Sequence, residues 1–292
     1  KIKRIMGIVN GTTNYILDRM NSTGASFDAA LAEAQELGYA EADPTADVEA
    51  YDAAQKAAIL ASLAFHTEVP LDKVYREGIT QITAAQIDAA KRDDYVIKLL
   101  AIAEKIEGSA HGLNDEAGVS VRVHPALIPI EHPLASVRGA FNAVFVEAEA
   151  AGNLMFYGAG AGGVQTASAV LGDLVSAAKR HVAGGPGLAD SVHAHLPVLS
   201  IDRVETQYQI TVEVKDQPGV LAAIAGVFAD HGVSIETVEQ TVGRDGGSRA
   251  KTATLEVGTH RATDAALSSV VGALKANDAV VNVTSVIRVE GV

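Results

Sequence analysis

The order of hydrophobic patterns at the C-terminal end of the chain restricts the fold more than any other feature. Two segments, 219–231 and 263–276, repeat apolar residues every three to four positions, which is the spacing of one helix face. Four segments with the alternation typical of strands surround them. The resulting order is βαββαβ, so we predict a ferredoxin-like unit over residues 206–292. The four strand segments are 208–215, 233–241, 250–257 and 279–289.

The first 180 residues mix helix and strand patterns without a comparable order. Ser26 and Thr83 are typical N-cap residues, and each precedes a helical pattern. Residues 95–106 fit either a strand or a helix, whereas short apolar stretches between 118 and 157 indicate strands. Residues 181–205 are rich in Gly, Pro and His and lack periodicity, which indicates a linker. We therefore predict an α+β protein in which a mixed-sheet domain precedes the ferredoxin-like domain.

Charged residues gather where one of the helices begins. Glu41 and Asp47 lie in an acidic loop, and Asp52 and Lys56 follow on a helix that the pattern predicts from about residue 48 to Phe65. Acidic and basic side chains this close can act together in proton transfer or hold a charged substrate. Composition alone favours the alternative that the acidic loop is simply solvated.

The position of Asp52 and Lys56 on the helix supports two interpretations of the pair. With about 100° per residue, they fall on the same stripe as the aliphatic residues Ile59 and Leu63. If this stripe faces the core, the pair is costly to desolvate, and its presence indicates a function. The alternative is an ordinary i,i+4 salt bridge on the surface. The spacing is satisfied by both, so both interpretations stay open at this point.

Composition excludes several classes of site and partner. The net charge is −13 and no extended basic run occurs, so we expect no nucleic-acid partner. Cysteine is absent, which excludes disulfides and thiolate ligands and fits a reducing cytoplasm, the location we expect. No apolar run has the length of a membrane span, so we expect no membrane association. His181, His193 and His195 do not match the spacing of a metal site, and we expect no metal.

Short motifs in the C-terminal unit match a family of regulatory domains. The unit resembles the ACT domain, an amino-acid-sensing module, in the motifs DQPGVL (216–221), GVF (226–228) and VSIE (233–236). A glycine at a helix N-terminus lets backbone N–H groups approach a ligand carboxylate. The resemblance therefore implies an amino-acid effector at the turn that contains Asp216, Pro218, Gly219 and Val220.

The first 180 residues resemble homoserine dehydrogenases in several motifs that occur in the same order. Gln165 departs from the family pattern, which usually has proline at this position. The resemblance implies an oxidoreductase that interconverts L-aspartate 4-semialdehyde and L-homoserine with NAD(P), in the biosynthesis of threonine, methionine and isoleucine. The matching motifs are GIVNGTTNYIL (7–17), LGYAEADPTADV (37–48), DAAQKAAIL (52–60), HPLASV (132–137), NAV (142–144) and YGAGAGGVQTASAVLGDLV (157–175).

This resemblance also implies roles for individual residues. Lys56 would relay the proton of the reaction, with Asp52 as its partner. Glu41 and Asp47 would hold the ammonium group of the substrate by charge-assisted hydrogen bonds. Threonine, a product of the implied pathway, is the expected effector. The remaining implied residues are Gly11 and Thr12 in the substrate pocket, and Gly158 and Gly160 beside the cofactor.

The family's architecture implies a division of the chain. We expect a substrate-binding and dimerisation domain at 1–157, then a glycine-rich turn and helix at 158–180 that return to a nucleotide-binding domain. The linker at 181–205 and the ACT domain at 206–292 complete the chain. The nucleotide-binding region would precede Lys1. We therefore expect that it is absent from this chain and that the chain alone is inactive.

Two further expectations concern partners and the alternative function. The strands between 118 and 157 have no obvious second layer to cover them, which predicts a homodimer or a higher homo-oligomer. The alternative to an enzyme is a non-catalytic ACT-type sensor, in which the first region only supports the regulatory unit. A sensor would have no use for the four charged residues between Glu41 and Lys56.

Overall fold

A computed structural model describes residues 1–108, 117–185, 191–242 and 252–292. The strands in these ranges are β1 (Ile2–Ile8), β2 (Tyr75–Arg76), β3 (Tyr95–Ile106), β4 (Gly118–Pro129), β5 (Phe141–Ala148), β6 (Gly152–Ala159), β7 (Glu205–Lys215), β8 (Ile235–Val242), β9 (Thr252–Thr259), β10 (Ala262–Thr263) and β11 (Val280–Val289). They form one mixed sheet in the order β6-β5-β1-β3-β4-β11-β7-β9-β8, with β2 beside β4 and β10 beside β7.

The helices largely follow the predicted caps. The side chains of Ser26 and Thr83 accept hydrogen bonds from the first turns of their helices, and Thr83 forms a reciprocal capping box with Gln86. The described helices are α1 (Gly11–Thr23), α2 (Phe27–Glu36), α3 (Thr45–Val48), α4 (Tyr51–Phe65), α5 (Ala84–Arg92), α6 (Gly163–Ala183), α7 (Val220–Asp230) and α8 (Asp264–Lys275).

The first part of the sheet is covered on both faces. Helices α1, α4 and α5 pack on one face, and the 3₁₀ turn Pro133–Ser136 packs on the other. Neighbouring residues of β3 such as Leu99 and Leu100 are therefore buried in different cores. Burial on both faces removes the alternation of polar and apolar residues, which explains why 95–106 was ambiguous in the sequence.

The strand β4 does not offer the uncovered surface that the sequence predicted. It is one strand rather than two, and all its residues except Pro129 are buried in the middle of the sheet. The prediction of uncovered strands is therefore wrong for β4. Exposed large apolar side chains in this region lie instead on β5 and the edge strand β6: Phe141, Leu154, Phe156 and Tyr157.

The C-terminal unit has the predicted βαββαβ order, which confirms the fold class. Its strands β11-β7-β9-β8 pair antiparallel, and α7 and α8 cover one face of them. Side chains such as Ile210, Val212 and Leu255 form the core under these helices. The glycines at 243, 246 and 247 predict a hairpin turn between β8 and β9, and these residues lie outside the described ranges.

The two parts of the sheet are joined by the end of β11. Val289 pairs in parallel with Leu127 of β4, and Glu290 follows it into the interior. The Glu290 carboxylate contacts the guanidinium groups of Arg4 and Arg122, both buried. Burial raises the pKa of Glu290, but the two guanidinium groups outweigh this effect and lower it to about 2. A charged, paired Glu290 thus connects the C-terminal unit to β1 and β4.

Helix α6 is exposed along its whole length. Strand β6 continues to Ala159, two residues beyond the boundary expected at 157, and the helix starts at Gly163, before Gln165. The predicted linker is shorter than 181–205, because α6 continues to Ala183 and β7 begins at Glu205. Residues 191–204 are irregular apart from a short bridge at Val198 and the 3₁₀ turn Ile201–Arg203, and 186–190 lie outside the described residues. Within the described part of the chain, no helix is both long and apolar enough to cross a membrane.

Candidate active site

The site is organised by Asn10, which follows β1 and caps α1. Its side-chain oxygen accepts a hydrogen bond from the backbone N–H of Thr13 at 2.9 Å. Its amide nitrogen donates to Oδ1 of Asp47 at 2.7 Å and to Oδ2 of Asp52 at 2.9 Å. Asn10 thus holds two carboxylates together from a buried position. Asn10 is not among the residues predicted from the sequence, although an asparagine directly before a Gly-Thr-Thr helix start is a recognisable N-cap signal.

A break in the predicted helix brings the two carboxylates together. In one continuous helix, Asp47 and Asp52 would point about 140° apart. Instead α3 ends at Val48, and Ala50 adopts φ of 62° before α4 begins. Positive φ is uncommon for alanine, so the surroundings must hold this turn. Arg76 donates a hydrogen bond to the carbonyl oxygen of Glu49, which supplies part of that support.

A second support for the break comes from the segment after β2. Thr80 Oγ1 donates to Oε1 of Glu49 at 2.9 Å. Gly78 lies against the backbone of Val48, where any Cβ would overlap the carbonyl oxygen. Only glycine allows this close approach. The position of the two carboxylates therefore depends on a segment about thirty residues further along the chain.

Lys56 connects the helix to the end of β1. Its Nζ donates to Oδ2 of Asp52 at 2.7 Å and to the carbonyl oxygen of Val9 at 3.0 Å. The side chains of Lys56 and Asp52 are 45% and 32% exposed. A pair with this exposure contributes little to folding, about 0.2–1 kcal/mol. The geometry keeps the ammonium group next to Asn10 and Asp52 at the surface of the sheet domain.

The face of α4 that the sequence pattern predicted to be buried is in fact exposed. The pair does share a stripe with Ile59 and Leu63, but these two residues are 60% and 61% exposed. The buried face of α4 consists mainly of small residues, which allow the helix to lie close to β3 and β4. The pair is therefore not buried, and the desolvation argument for its function does not apply. The buried residues are Ala53, Ala54, Ala57, Ala58, Ala61 and Phe65.

Two other predicted residues lie beside this cluster, whereas one stands apart. Thr12 Oγ1 donates to the carbonyl oxygen of Tyr39 at 2.6 Å, which ties α1 to the start of the acidic loop. Gly11 packs against the backbone of Ala140, where a Cβ would overlap the carbonyl oxygen. Glu41 is exposed, and its carboxylate has no hydrogen bond or ion pair within the described ranges. The structure thus leaves the Glu41 carboxylate free for a ligand.

The glycine corner predicted near the cofactor is connected to the same cluster. Gly160 lies against the side chain of Asn142, where no Cβ could fit. Asn142 Nδ2 donates to the Val9 carbonyl oxygen at 3.2 Å, the same oxygen that accepts from Lys56. Gly158, in contrast, faces open space. The corner is therefore connected to the Lys56 ammonium group through Asn142 and the Val9 carbonyl oxygen.

A buried lysine holds the segment that precedes β5 and carries Ala140. Lys98 Nζ donates to Oδ1 of Asn14 at 2.9 Å and to the carbonyl oxygen of Val137 at 2.6 Å. Asn14 in turn donates to the carbonyl oxygen of Gly139 at 2.8 Å. Burial lowers the pKa of Lys98 to about 8. These contacts make Lys98 and Asn14 structural residues of the site that the sequence did not reveal.

The glycine corner fits one side of a nicotinamide cofactor. The absence of a side chain at Gly158 leaves open space for a flat ring, whereas the space beside Gly160 is filled by the Asn142 side chain. Helix α6 starts at Gly163 without a side-chain cap. Free N–H groups at a helix start suit phosphate or another anion. These residues could flank a cofactor beside Lys56, although they do not form a complete dinucleotide site.

The predicted effector turn has the expected conformation. Gly219 is the N-cap of α7 with φ of 91°, and the helix start has no side-chain cap. This φ favours glycine, and the uncapped N–H groups are available to an anion. Val220 is buried under the turn, whereas Pro218 and Gly219 are exposed and Asp216 is partly exposed. Ser234, which directly precedes β8, is also exposed.

The fold and the site together define an α+β protein that joins a lysine–carboxylate site to a regulatory domain of the ferredoxin-like type. The family model for homoserine dehydrogenase matches residues 1–175, and the ACT domain model matches residues 208–279. The chain belongs to the homoserine dehydrogenase family. The match does not support the expectation that a nucleotide-binding region is absent.

Relatives with this name match nearly the whole chain. A homoserine dehydrogenase of Mycobacterium tuberculosis is 58% identical and covers 99% of this chain, which covers 65% of that protein. One of Corynebacterium glutamicum is 53% identical, with 99% of this chain and 63% of that protein covered. The crystal structure of a homoserine dehydrogenase from Thiobacillus denitrificans is similar with a TM-score of 0.89 and 39% identity, over 99% of this chain and 64% of that one. The chain thus spans just under two thirds of these relatives.

Proposed function

We propose that the protein to which this chain belongs interconverts L-aspartate 4-semialdehyde and L-homoserine. The nicotinamide cofactor, NAD or NADP, supplies or accepts the hydride when bound, and Gly158 and Gly160 would flank it. The observation that carries the proposal is the continuous set of contacts from Asp47 through Asn10 and Asp52 to Lys56. This set keeps an ammonium group and two carboxylates close together, which supports a proton donor for the reaction beside a binding site for the substrate ammonium group.

Lys56 is the proposed proton relay. An ammonium group has three N–H donors, and the structure uses two of them, for Asp52 and the Val9 carbonyl oxygen. The third can reach the substrate oxygen, donate its proton as the aldehyde is reduced and recover it as the alcohol is oxidised. Asp52 keeps the ammonium group in place. Ile59 and Leu63 follow on the same stripe of α4 and are exposed.

Asp47 and Glu41 are the proposed ligands of the substrate ammonium group. Asn10 fixes one oxygen of Asp47 and leaves the other for a charge-assisted hydrogen bond. Glu41 has no competing partner in the described part of the chain, so it can move toward the substrate. Gly11 and Thr12 would line the pocket, since they lie between Asn10 and the backbone of Tyr39 and Ala140.

Regulation and assembly complete the proposal. The ACT domain would bind an amino acid, threonine in the first instance, at the turn from Asp216 to Val220, and 181–205 would accommodate the relative movement of the two parts.

The exposed apolar residues of β5 and β6 would form a homodimer contact. We place the protein in the cytoplasm, which its lack of cysteine fits.

A chimera tests the activity directly. This chain would replace the matched segment of the Mycobacterium tuberculosis relative, and homoserine oxidation would be followed by the absorbance of the reduced cofactor. We expect turnover within about tenfold of that relative. A folded chimera that binds the cofactor without oxidising homoserine would contradict the proposal and favour the non-catalytic sensor. A reaction mixture without enzyme provides the background rate.

A further inference from the structure

A largely buried arginine of the C-terminal unit contacts the first part of the chain. Arg288 lies near the end of β11, and its Nε donates to Oδ1 of Asp264, the buried first residue of α8, at 2.8 Å. Its Nη1 donates to Oε2 of Glu77 at 3.0 Å, and its Nη2 donates to the hydroxyl oxygen of Tyr75 at 3.4 Å. Arg288 therefore joins the C-terminal unit to the segment that contains β2.

The Arg288 guanidinium group is held by aromatic rings as well as by hydrogen bonds. Its Cζ is 5.2 Å from the centroid of the Tyr75 ring and 5.3 Å from that of the Tyr208 ring. The Tyr208 hydroxyl also donates to Oδ1 of Asp264 at 2.7 Å. A guanidinium group with rings and carboxylates around it has little freedom to move. Arg288 thus provides a fixed attachment for Tyr75 and Glu77.

The same segment has a second set of contacts, with the break between α3 and α4. Arg76 donates a hydrogen bond to the carbonyl oxygen of Glu49. The backbone N–H of Ile79 donates to the carbonyl oxygen of Val48 at 2.8 Å, beside the close approach of Gly78. Residues 75–80, which we call the β2 segment, therefore lie between the C-terminal unit and the break.

Strand geometry explains how one short segment contacts both neighbours. The residues of β2 pair in parallel with β4, and the backbone N–H of Glu77 continues this pairing at 2.8 Å. Successive side chains of an extended backbone point to opposite sides. Tyr75 and Glu77 thus face Arg288, whereas Arg76 between them faces Glu49. Because these residues share one backbone, a shift on one side of the segment displaces the contacts on the other.

We propose that Arg288 is a positioning residue of the candidate active site. It holds the β2 segment, and the β2 segment holds the turn at Ala50 that brings Asp47 and Asp52 together. This role rests on the proposed function, since the two carboxylates must be in place to bind and orient the reactants. The position of the C-terminal unit would then affect the carboxylates through a continuous set of contacts.

Hydrogen exchange of the 292-residue chain, followed by mass spectrometry, tests these contacts independently of activity. The double variant Tyr75→Phe, Glu77→Gln removes the hydroxyl group and the charge that contact Arg288, but leaves the pair of Arg288 with Asp264 in place. We expect peptides that cover residues 45–54 to exchange at least about fivefold faster, because the turn opens more often.

Arg92→Gln is the matched control for this experiment. Arg92 on α5 also contacts the C-terminal unit, with 3.2 Å to Oε1 of Glu256, but it lies outside the β2 segment. Exchange in residues 45–54 should stay within about twofold of the parent in this variant. Unchanged exchange of these residues in the double variant, or an equal acceleration along the whole chain, would overturn the proposal.

Kinetics of the chimera show whether this positioning matters for the reaction. The double variant should raise KM for homoserine at least about threefold and leave KM for the cofactor unchanged, because Asp47 is the proposed ligand of the substrate. Arg288→Lys keeps a charge beside Asp264 but loses the planar fork that reaches Tyr75 and Glu77, so it should give the same difference between the two constants. A loss of stability alone would not produce this difference.

Two outcomes separate this role from the proposed function. Faster exchange in residues 45–54 with an unchanged KM for homoserine would overturn the positioning role. An inactive parent chimera would contradict the proposed function, whereas the exchange experiment would still decide whether Arg288 holds the turn.

Discussion

Lys56 and Asp52 form an ion pair across one turn of α4, with 2.7 Å between Nζ and Oδ2, and the same Nζ also donates to the end of β1. The second contact distinguishes this pair from a surface salt bridge, because the backbone carbonyl of Val9 fixes the direction of the ammonium group. The pair Asp88–Lys91 on α5 has the ordinary form, with 3.8 Å between charged atoms and both side chains exposed. Lys91 is therefore a suitable control for substitutions of Lys56.

Lys56→Ala in the chimera should lower kcat by about 10²–10⁴-fold, because the variant loses proton transfer. KM should change much less, since the substrate ammonium group is held elsewhere. Steady-state kinetics with homoserine measure both constants. Lys91→Ala serves as the control and should leave both unchanged. A kcat within about twofold of the parent would show that Lys56 is only a salt-bridge residue.

Asn10→Asp should keep the cap of α1 but disrupt the cluster of carboxylates. Aspartate is as good an N-cap as asparagine, so α1 should keep its cap. It cannot donate to Asp47 and Asp52, however, and it adds a third negative charge beside them. Because Asn10 is buried and the variant replaces two hydrogen bonds to carboxylates by repulsion between like charges, we expect kcat/KM to fall at least tenfold and the free energy of unfolding to fall by about 1–3 kcal/mol at neutral pH. Ser26→Asp, at the cap of α2, should leave kcat/KM unaffected; an equal loss in both variants would refute the argument.

Asp47→Ala and Glu41→Ala should each raise KM for homoserine. Both residues are proposed to bind the ground state through the ammonium group, so the loss appears in binding. Asp47→Ala should have the larger effect, because Asn10 already positions that carboxylate. Asp43→Ala, in the same exposed loop, is the control for a general loss of negative charge. If Asp43→Ala raised KM as much, the acidic loop would act only through its overall negative charge and not through specific contacts with the substrate.

Lys98 should make the stability of the protein depend on pH in the alkaline range. Burial lowers its pKa from 10.5 to about 8, so between these values the unfolded chain holds a proton that the folded protein has released. The contribution of Lys98 to the free energy of unfolding therefore increases with pH between about 8 and 10.5. The unfolding free energy of the parent, relative to Lys98→Met, should increase by on the order of 3 kcal/mol from pH 7 to pH 10.5. Lys91→Met should show no such difference in urea titrations; a flat difference for Lys98→Met would contradict the assignment.

Glu290→Gln should weaken the junction of the two parts of the chain. Removal of the charge leaves Arg4 and Arg122 without their shared partner in the interior, which costs about 3–5 kcal/mol. The pKa of Glu290 is lowered from 4.5 to about 2, so its contribution is complete above pH 4.5 and is lost as the pH falls toward 2. The difference in unfolding free energy between parent and variant should thus shrink at acid pH. Glu149→Gln, at an exposed pair with Lys1, should cost less than about 1 kcal/mol at any pH.

Local signals in the sequence were sufficient for the C-terminal unit and for the helix caps. The alternation of Ile210, Val212 and their neighbours indicates that one face of the strand is buried. Cap residues such as Ser26 and Thr83 accept hydrogen bonds from backbone N–H groups three residues further along the chain. These effects are local or periodic, so they can be read along the chain. The family motifs added the expected roles of Lys56, Asp52, Glu41 and Asp47.

The arrangement of the site was decided by tertiary contacts. The face that α4 buries depends on how closely its alanines approach the sheet, and this placed Ile59 and Leu63 outside, against their hydrophobicity. The turn at Ala50 exists because Arg76 and Gly78, distant in sequence, hold the backbone of Val48 and Glu49. That turn allows Asn10 to join Asp47 to Asp52. A one-dimensional pattern contains the residues of such a cluster, but the distances between them arise only when separate segments pack against one another.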